Sequence, residues 1–214
     1  LVPILKFQPT PLEGWGKVFK RLFDFVGSII FIAVLSPILI LIASAVYIET
    51  GWPIFYISKR VGEYGKKDIY VLKFRSMVKN ADELKRKLVK KNERDDGPLF
   101  KIKDDPRITR VGKLLRRFDL DELPQLFNVL VGQMSLVGPR PHLPDEVKKY
   151  TSYQRRVFTV KPGMTGLAQV SGRSNLKFAE EVKLDIRYVE EWGVGMDLWI
   201  IWRTGWVMIR SEGE

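Results

Sequence analysis

Charged residues disappear from the chain between Phe25 and Ile48. The run FVGSIIFIAVLSPILILIASAVYI has no charged residue, and basic residues flank it: Lys17, Lys20 and Arg21 before, Lys59, Arg60, Lys66 and Lys67 after. At about 1.5 Å per residue, an unbroken helix of this length reaches across a bilayer's hydrocarbon core, so a plain transmembrane span is one reading. Ser36-Pro37 near the middle favours another. Proline removes a backbone donor and clashes with the preceding turn, so a bend there would give two half-length arms, the freed carbonyls served by Ser36 or by neighbours. A straight span would also leave one basic cluster on the non-cytoplasmic side, against the positive-inside tendency. A re-entrant hairpin keeps both clusters on the cytoplasmic face and is the expectation. The run is too long for a signal peptide and lacks a small-residue cleavage site.

Residues 1–16, with Pro3, Pro9, Pro11, Gly14 and Gly16, read as an irregular lead-in. KVFKRLFDF interleaves basic and aromatic residues as a helix at a membrane surface does. IFYISKRV and DIYVLKFRSM are β-branched and aromatic, with EYGKK to turn between them, and predict a hairpin. Trp52, Phe55 and Tyr56 suit either a headgroup layer or a core strand. ADELKRKLVKKNERDDG (81–97) is a charged amphipathic helix, for solvent or for anionic headgroups. Asp105-Pro106 predicts the start of a helix that ends near Arg116-Arg117, with Ile108, Val111, Leu114 and Leu115 inward. A second helix is expected from Asp119–Asp121 to Gly132, with Leu123, Leu126, Phe127 and Leu130 as its stripe and Pro124 in its first turn. That puts Asp121 and Glu122 at a helix N-terminus. Further helices are expected over 145–158 and 178–192, with turns over 160–174. In the last segment Trp199, Trp202, Trp206 and Ile209 share a helical face, as a core stripe or a membrane-interface helix.

The expected fold is mainly α with a small β-hairpin (α+β): a re-entrant helix-break-helix, interfacial amphipathic helices and a compact cytoplasmic catalytic domain. Its segments are the lead-in 1–16, the membrane hairpin 17–50, the catalytic domain 51–192 and a C-terminal interfacial helix 193–214.

Charge narrows the partners. A net charge of +11 favours anions: nucleic acid, anionic lipid or phosphorylated substrates. No nucleic-acid-binding module is visible, so nucleic acid is not expected. The chain has no cysteine and one histidine, His142, which excludes thiolate chemistry and histidine-rich metal sites. Any catalysis must use carboxylates and arginines with a hard cation. The chain starts at Leu1, not Met, which suggests a processed or excised product and leaves open whether further N-terminal regions belong to it. The densest chemistry is RRFDLDELPQLFNVLVGQMSLVGPRP (116–141), where Asp119, Asp121 and Glu122 lie between Arg116-Arg117 and Arg140, itself between Pro139 and Pro141. The pattern suits a metal-bound phosphate, and an Asp-Glu pair at a helix start equally suits capping. Neighbouring arginines and a helix start should favour ionised Asp121.

Several segments together are more specific: KRLFD before the apolar run, Ser36-Pro37 within it, VLKFRSM, DPRITRVGKLLRR, LDELPQLFNVLVGQMSLVGPRP, KPGMTGLAQVSGR and LDIRYVEEW. From about Lys20 to Arg210 the chain resembles the bacterial sugar transferases, the monotopic polyprenyl-phosphate phosphoglycosyl transferases. The resemblance implies transfer of a sugar-1-phosphate from a UDP-sugar to undecaprenyl (polyprenyl) phosphate, with release of UMP. It implies dependence on Mg2+ and a covalent phosphosugar intermediate, in initiation of cell-surface glycan or exopolysaccharide synthesis. Asp121 and Glu122 map onto the catalytic and metal-binding dyad, with Asp121 as nucleophile. Arg116 and Arg140 map onto phosphate-binding arginines, and Ser36 and Pro37 onto the membrane break. Arg173, Asp185 and Tyr188 would line the nucleotide or phosphate site. Asp119 departs from the pattern, which more often has a small hydroxyl residue there. The implied location is the bacterial inner membrane, with the catalytic domain at the cytoplasmic leaflet, and a homo-oligomer is compatible with it. The competing class is a non-catalytic basic scaffold that binds anionic lipid at the membrane surface.

Overall fold

The apolar run belongs to one helix, α1 (Trp15–Thr50), in the computed structural model of the protein, which describes residues 10–65, 67–81, 83–84, 102, 105–172 and 176–210. The charged helix expected over 81–97 lies almost wholly outside the described residues, and Arg173 lies outside them too.

α1 is inverted relative to a helix of a soluble protein. It buries Lys20, Asp24 and Ser28 in its first half and Ile42 and Val46 in its second, and exposes Phe19, Leu22, Ile30, Val34, Ile40, Leu41 and Ile48. An outward apolar face of this size calls for a non-aqueous neighbour. The buried charges are matched, as burial demands. Lys20 Nζ lies 2.9 Å from both Asp24 Oδ1 and Asp197 Oδ2. Asp24 also accepts the backbone N–H of Leu136 at 3.0 Å, and Asp197 accepts the Tyr188 hydroxyl at 2.8 Å and the Trp192 indole at 3.2 Å.

Helical structure continues through Pro37. Proline cannot donate to the carbonyl four residues earlier, that of Ala33, and the Ser36 hydroxyl donates to this carbonyl at 2.8 Å. Ser36 thus serves the freed carbonyl, while the expected break at Ser36-Pro37 does not interrupt the helix.

Both ends of α1 return to the same body. Leu12, just ahead of the helix, is buried, and the Thr10 hydroxyl donates to Val189 O. Lys17, before the apolar run, pairs at 2.6 Å with Glu63, after it. Ile42 and Val46 pack with Phe74, Leu115 and Leu123.

The hairpin forms as expected, β1 (Phe55–Val61) antiparallel to β2 (Asp68–Phe74), with Phe55 opposite Phe74 and Val61 opposite Asp68. Trp52, Phe55 and Tyr56 are exposed. The next helix, α2 (Arg110–Arg117), starts later than Asp105-Pro106 predicts. Asp105 is occupied by Arg107 in a buried bidentate ion pair, and Ile108 bridges to Met77, so Thr109 becomes the cap. Leu114 is exposed, not inward.

The second expected helix is interrupted. Asp119 adopts a left-handed conformation (φ 50°), a 3-10 turn covers Leu120–Glu122, and α3 (Gln125–Leu130) begins after Pro124. Asp121 and Glu122 thus occupy a 3-10 turn ahead of the helix, and Phe127 is exposed.

β3 (Ser135–Val137) pairs in parallel with β4 (Gly163–Thr165), so 160–174 is more than turns, and α5 (Leu167–Ser171) follows. Between them, the helix expected over 145–158 is split into α4 (Pro144–Val147) and a 3-10 turn over Gln154–Thr159. Tyr150 turns into the core at the break and packs against His142, Phe158 and Phe178.

The long helices form where periodicity puts them, α6 (Phe178–Glu191) and α7 (Val194–Arg210). α7 buries Asp197, Ile200 and Val207, while Trp199, Trp202, Trp206 and Ile209 are exposed, so the tryptophan face is not a core stripe. The central core joins Val71, Leu126, Val129, Leu136, Tyr188 and Ile200, and α1 adds Phe31, Ile32 and Leu35 to it.

Candidate active site

Three segments converge on the acidic pair. β2 runs on through Lys73 and Arg75 to Ser76, which is clamped to α2: Ser76 O accepts the Thr109 N–H at 3.1 Å. Gly112 makes the approach possible, since a Cβ there would lie 2.0 Å from Ser76 O. α2 is capped twice, by the Thr109 hydroxyl and by the Glu49 carboxylate from the last turn of α1, which accepts the N–H groups of Arg110 and Val111. With its start fixed, α2 presents Arg116 nearly two turns on. Arg116 Nε donates to Ser76 Oγ at 3.1 Å, and Ser76 Oγ donates onward to Asp121 Oδ2 over a longer 3.4 Å.

Asp119 supplies the turn into the pair. Its left-handed backbone is one that Asp tolerates better than most residues, which gives this position a conformational reason for its side chain.

Asp121 is buried and its carboxyl is pushed up to about 6. Burial is the main cause. Lys73 and Arg116 oppose it, while Glu122 and Asp119 reinforce it. Burial therefore outweighs the arginines that the sequence reading expected to dominate. At neutral pH such a group is still mostly ionised. Glu122 goes the other way: burial raises it, but the Lys73 ammonium, in direct contact with Oε1, brings the net value below the usual range, with Arg140 adding to it.

Arg140 arrives from the opposite side. Gly138 N–H donates to Thr165 O, and Gly163 N–H to Pro139 O, both at 2.8 Å, rooting the Pro139-Arg140-Pro141 loop on β4. A Cβ on Gly163 would sit 2.0 Å from Gly138 N, so the strands meet backbone to backbone. The Arg140 side chain is exposed, and its charge acts on Glu122.

Asp185 lies beneath this loop. It is buried, the Arg140 backbone N–H serves its carboxyl, and Oδ1 has no partner among the described residues. Burial first, then Glu181, raise it to about 8 against the pull of Arg140. Asp185 thus props the loop from beneath, with its carboxyl buried. Tyr188 faces elsewhere, donating to Val137 O and Asp197.

The structure thus brings Arg116, Arg140, Asp121 and Glu122 together. The sequence reading missed Lys73, Ser76 and Arg60, whose guanidinium lies against Pro141 O at 3.3 Å. For Lys73 a signal was available: alternation from Ile69 and Val71 turns it to the buried side of β2, where a lysine needs an anion. His142, given no catalytic role, is buried with Nδ1 at 2.8 Å from the Tyr150 hydroxyl.

Residues 15–211 match the profile of a family described as bacterial sugar transferase. The chain is 41% identical over 219 residues to the undecaprenyl-phosphate galactose phosphotransferase of Salmonella typhimurium, covering 99% of this chain and 45% of that protein. It is 40% identical over 202 residues to the exopolysaccharide production protein ExoY of Sinorhizobium fredii, covering 93% of this chain and 89% of that one. A third relative is the UDP-glucose:undecaprenyl-phosphate glucose-1-phosphate transferase of Klebsiella pneumoniae, 42% identical over 212 residues, covering 95% of this chain and 43% of the relative. The chain therefore spans less than half the length of the first and third.

Proposed function

Because the chain belongs to the bacterial sugar transferase family, we propose that it moves a sugar-1-phosphate from a UDP-sugar to undecaprenyl (polyprenyl) phosphate and releases UMP. The observation that carries this reading is the convergence of one buried and one ion-paired carboxylate with Lys73, Arg116 and Arg140. A pyrophosphate repels a carboxylate nucleophile, so catalysis needs cations and alignment.

In this reading, Asp121 attacks the β-phosphorus, the bond to the UMP oxygen breaks, and an acyl phosphate forms on Asp121. An oxygen of the lipid phosphate then attacks the same phosphorus, releasing Asp121 and leaving a diphosphate-linked sugar lipid. Arg116 and Arg140 bind phosphate oxygens bidentately, and Ser76 keeps Arg116 and Asp121 in register. Asp121 and Glu122 would hold Mg2+. Two adjacent carboxylates, with no third acidic, His or Cys ligand grouped with them among the described residues, suit an ion completed by water and substrate phosphates. When bound, it supplies Lewis-acid charge at the pyrophosphate.

For the membrane, a re-entrant α1 in the cytoplasmic leaflet fits best. Contacts with the body recur along the whole helix, at Lys20, Asp24, Phe31, Leu35, Leu39, Ile42 and Val46, leaving no stretch of roughly 20 residues free to span. The Lys17–Glu63 pair, joining the two flanks of the apolar run, supports the same reading.

The test is Asp121→Asn. UMP release should fall by about 10⁴-fold or more and no phosphosugar adduct should be trapped; retained turnover would overturn the role of Asp121. A UDP-sugar panel with undecaprenyl phosphate, read out as UMP, identifies the sugar. A scaffold without catalysis would instead show salt-sensitive lipid binding indifferent to Mg2+ and to the dyad.

A further inference from the structure

A second feature lies at the far end of α3 from the dyad. There the Arg21 guanidinium donates to the last carbonyls of the helix, Val129 O and Leu130 O, both at 2.7 Å. Arg21 also forms part of the wall of a cavity of about 490 Å³ between the first turns of α1, β3 and the segment leading into β4. None of Asp121, Glu122, Arg116 or Arg140 lines it.

Its wall is mostly apolar, with Leu12, Val18, Leu22, Phe25 and Val160 among the lining residues. Four cations and two carboxylates also line it, and their pairing is uneven. Lys17 is matched by Glu63, and Lys20 by Asp24 and Asp197. Among the described residues Arg21 meets backbone carbonyls and the Phe25 ring but no carboxylate. Lys161 is half-buried and makes no hydrogen bond or ion pair among the described residues. Burial first, and then the Arg21 charge, hold the Lys161 ammonium below its usual range. Two unmatched cations beside an apolar cavity are stabilised by an anion that brings its own apolar part.

The direction of the apolar wall selects the kind of anion. Val18, Leu22 and Phe25 line the cavity and are also part of the exposed outer face of α1, so the wall runs out onto the surface that faces lipid. A cavity of this volume is in the range of small-molecule sites and larger than an inorganic anion needs.

We propose that this cavity binds one anionic glycerophospholipid, its phosphodiester between Arg21 and Lys161 and an acyl chain along Val18, Leu22 and Phe25. It is a lipid site apart from the one that receives the acceptor. It requires α1 to lie at a membrane and does not depend on the role of Asp121.

The test uses the full chain reconstituted in bilayers of phosphatidylcholine and phosphatidylglycerol, then extracted in mild detergent for native mass spectrometry. Wild type should retain one phosphatidylglycerol and no phosphatidylcholine. Lys161→Gln, which removes no hydrogen bond or ion pair among the described residues, should lower retention about tenfold or more, and Lys161→Arg should restore it. Leu22→Trp, filling the cavity with both cations in place, should also expel the lipid. All three variants should form the phosphosugar adduct from UDP-sugar as wild type does, so loss of lipid is read separately from loss of chemistry. Four results would overturn the proposal: no retained lipid in wild type, equal retention of phosphatidylcholine, undiminished retention in Lys161→Gln, or displacement by glycerol phosphate as readily as by the phospholipid. Replacement of the retained lipid by undecaprenyl phosphate, with transfer from the adduct lost in Lys161→Gln, would make this the acceptor site and overturn it too.

Discussion

A carboxyl that titrates near 8 when folded and near its ordinary 3.8 when unfolded makes Asp185 a source of pH-dependent stability. Between those values the folded chain keeps a proton that the unfolded chain has lost, so rising pH favours unfolding, and the effect levels off above about 8. Between about pH 5 and pH 8 wild type should lose roughly 1–3 kcal/mol more than Asp185→Asn, measured by urea unfolding in detergent. Equal slopes would mean that Asp185 is ionised in the fold. At Gly112, replacement by alanine drives a methyl into Ser76 O, and the cost should reach or exceed the roughly 1–3 kcal/mol of ordinary overpacking. A thermal melt checks this, and UMP release should fall with it because Ser76 and Arg116 separate. These residues also show what the sequence conveyed about the site. Asp121, Glu122, Arg116 and Arg140 were legible because they lie in one stretch of the chain. Lys73 and Ser76 reach them from β2 and the residues just after it, more than 40 positions away; alternation along β2 marks Lys73 as turned inward, but nothing local says which anion it meets, and nothing marks Ser76. The upward shift of Asp121 was hidden for a related reason, since burial is a tertiary property.

Among the elements, α1 and α2 are coupled through Glu49. Glu49→Gln should weaken the cap on α2 by about 0.5–2 kcal/mol, seen as a lower melting temperature. Lys20→Met leaves Asp24 and Asp197 buried without their cation and should cost about 3–5 kcal/mol. A melt within error of wild type would show that Tyr188, Trp192 and backbone donors suffice. Helices long enough to show several turns of periodicity, α6 and α7, were legible from the pattern alone. The short elements were not. Asp105-Pro106 has the form of a helix start, yet Arg107 takes the aspartate first. The stripe from Leu123 to Leu130 says nothing of the left-handed turn at Asp119 that breaks the helix before it.

For the whole molecule, the main question is which surfaces meet lipid. The absence of native cysteine allows single cysteines to be placed cleanly. Cysteines at Lys17 and Lys59 should both react with an impermeant reagent from the same side of the membrane, and labelling from opposite sides would replace the re-entrant reading with a true span. Trp199, Trp202 and Trp206 should be quenched by brominated lipids, since they line the outer face of α7.

The seating of Ile42 and Val46 against Phe74, Leu115 and Leu123 has a practical consequence for anyone who wants a water-soluble form of the protein. A fragment beginning after residue 50 would be cut away from part of its own interior, with α2 uncapped and β3 stripped of the aspartate that holds Leu136. Such a fragment should express as an aggregating or loosely packed chain that binds hydrophobic dye. Truncation is therefore not a route to a water-soluble form. Solubilisation has to come from redesigning the outward apolar residues of α1 while leaving its inner seam untouched.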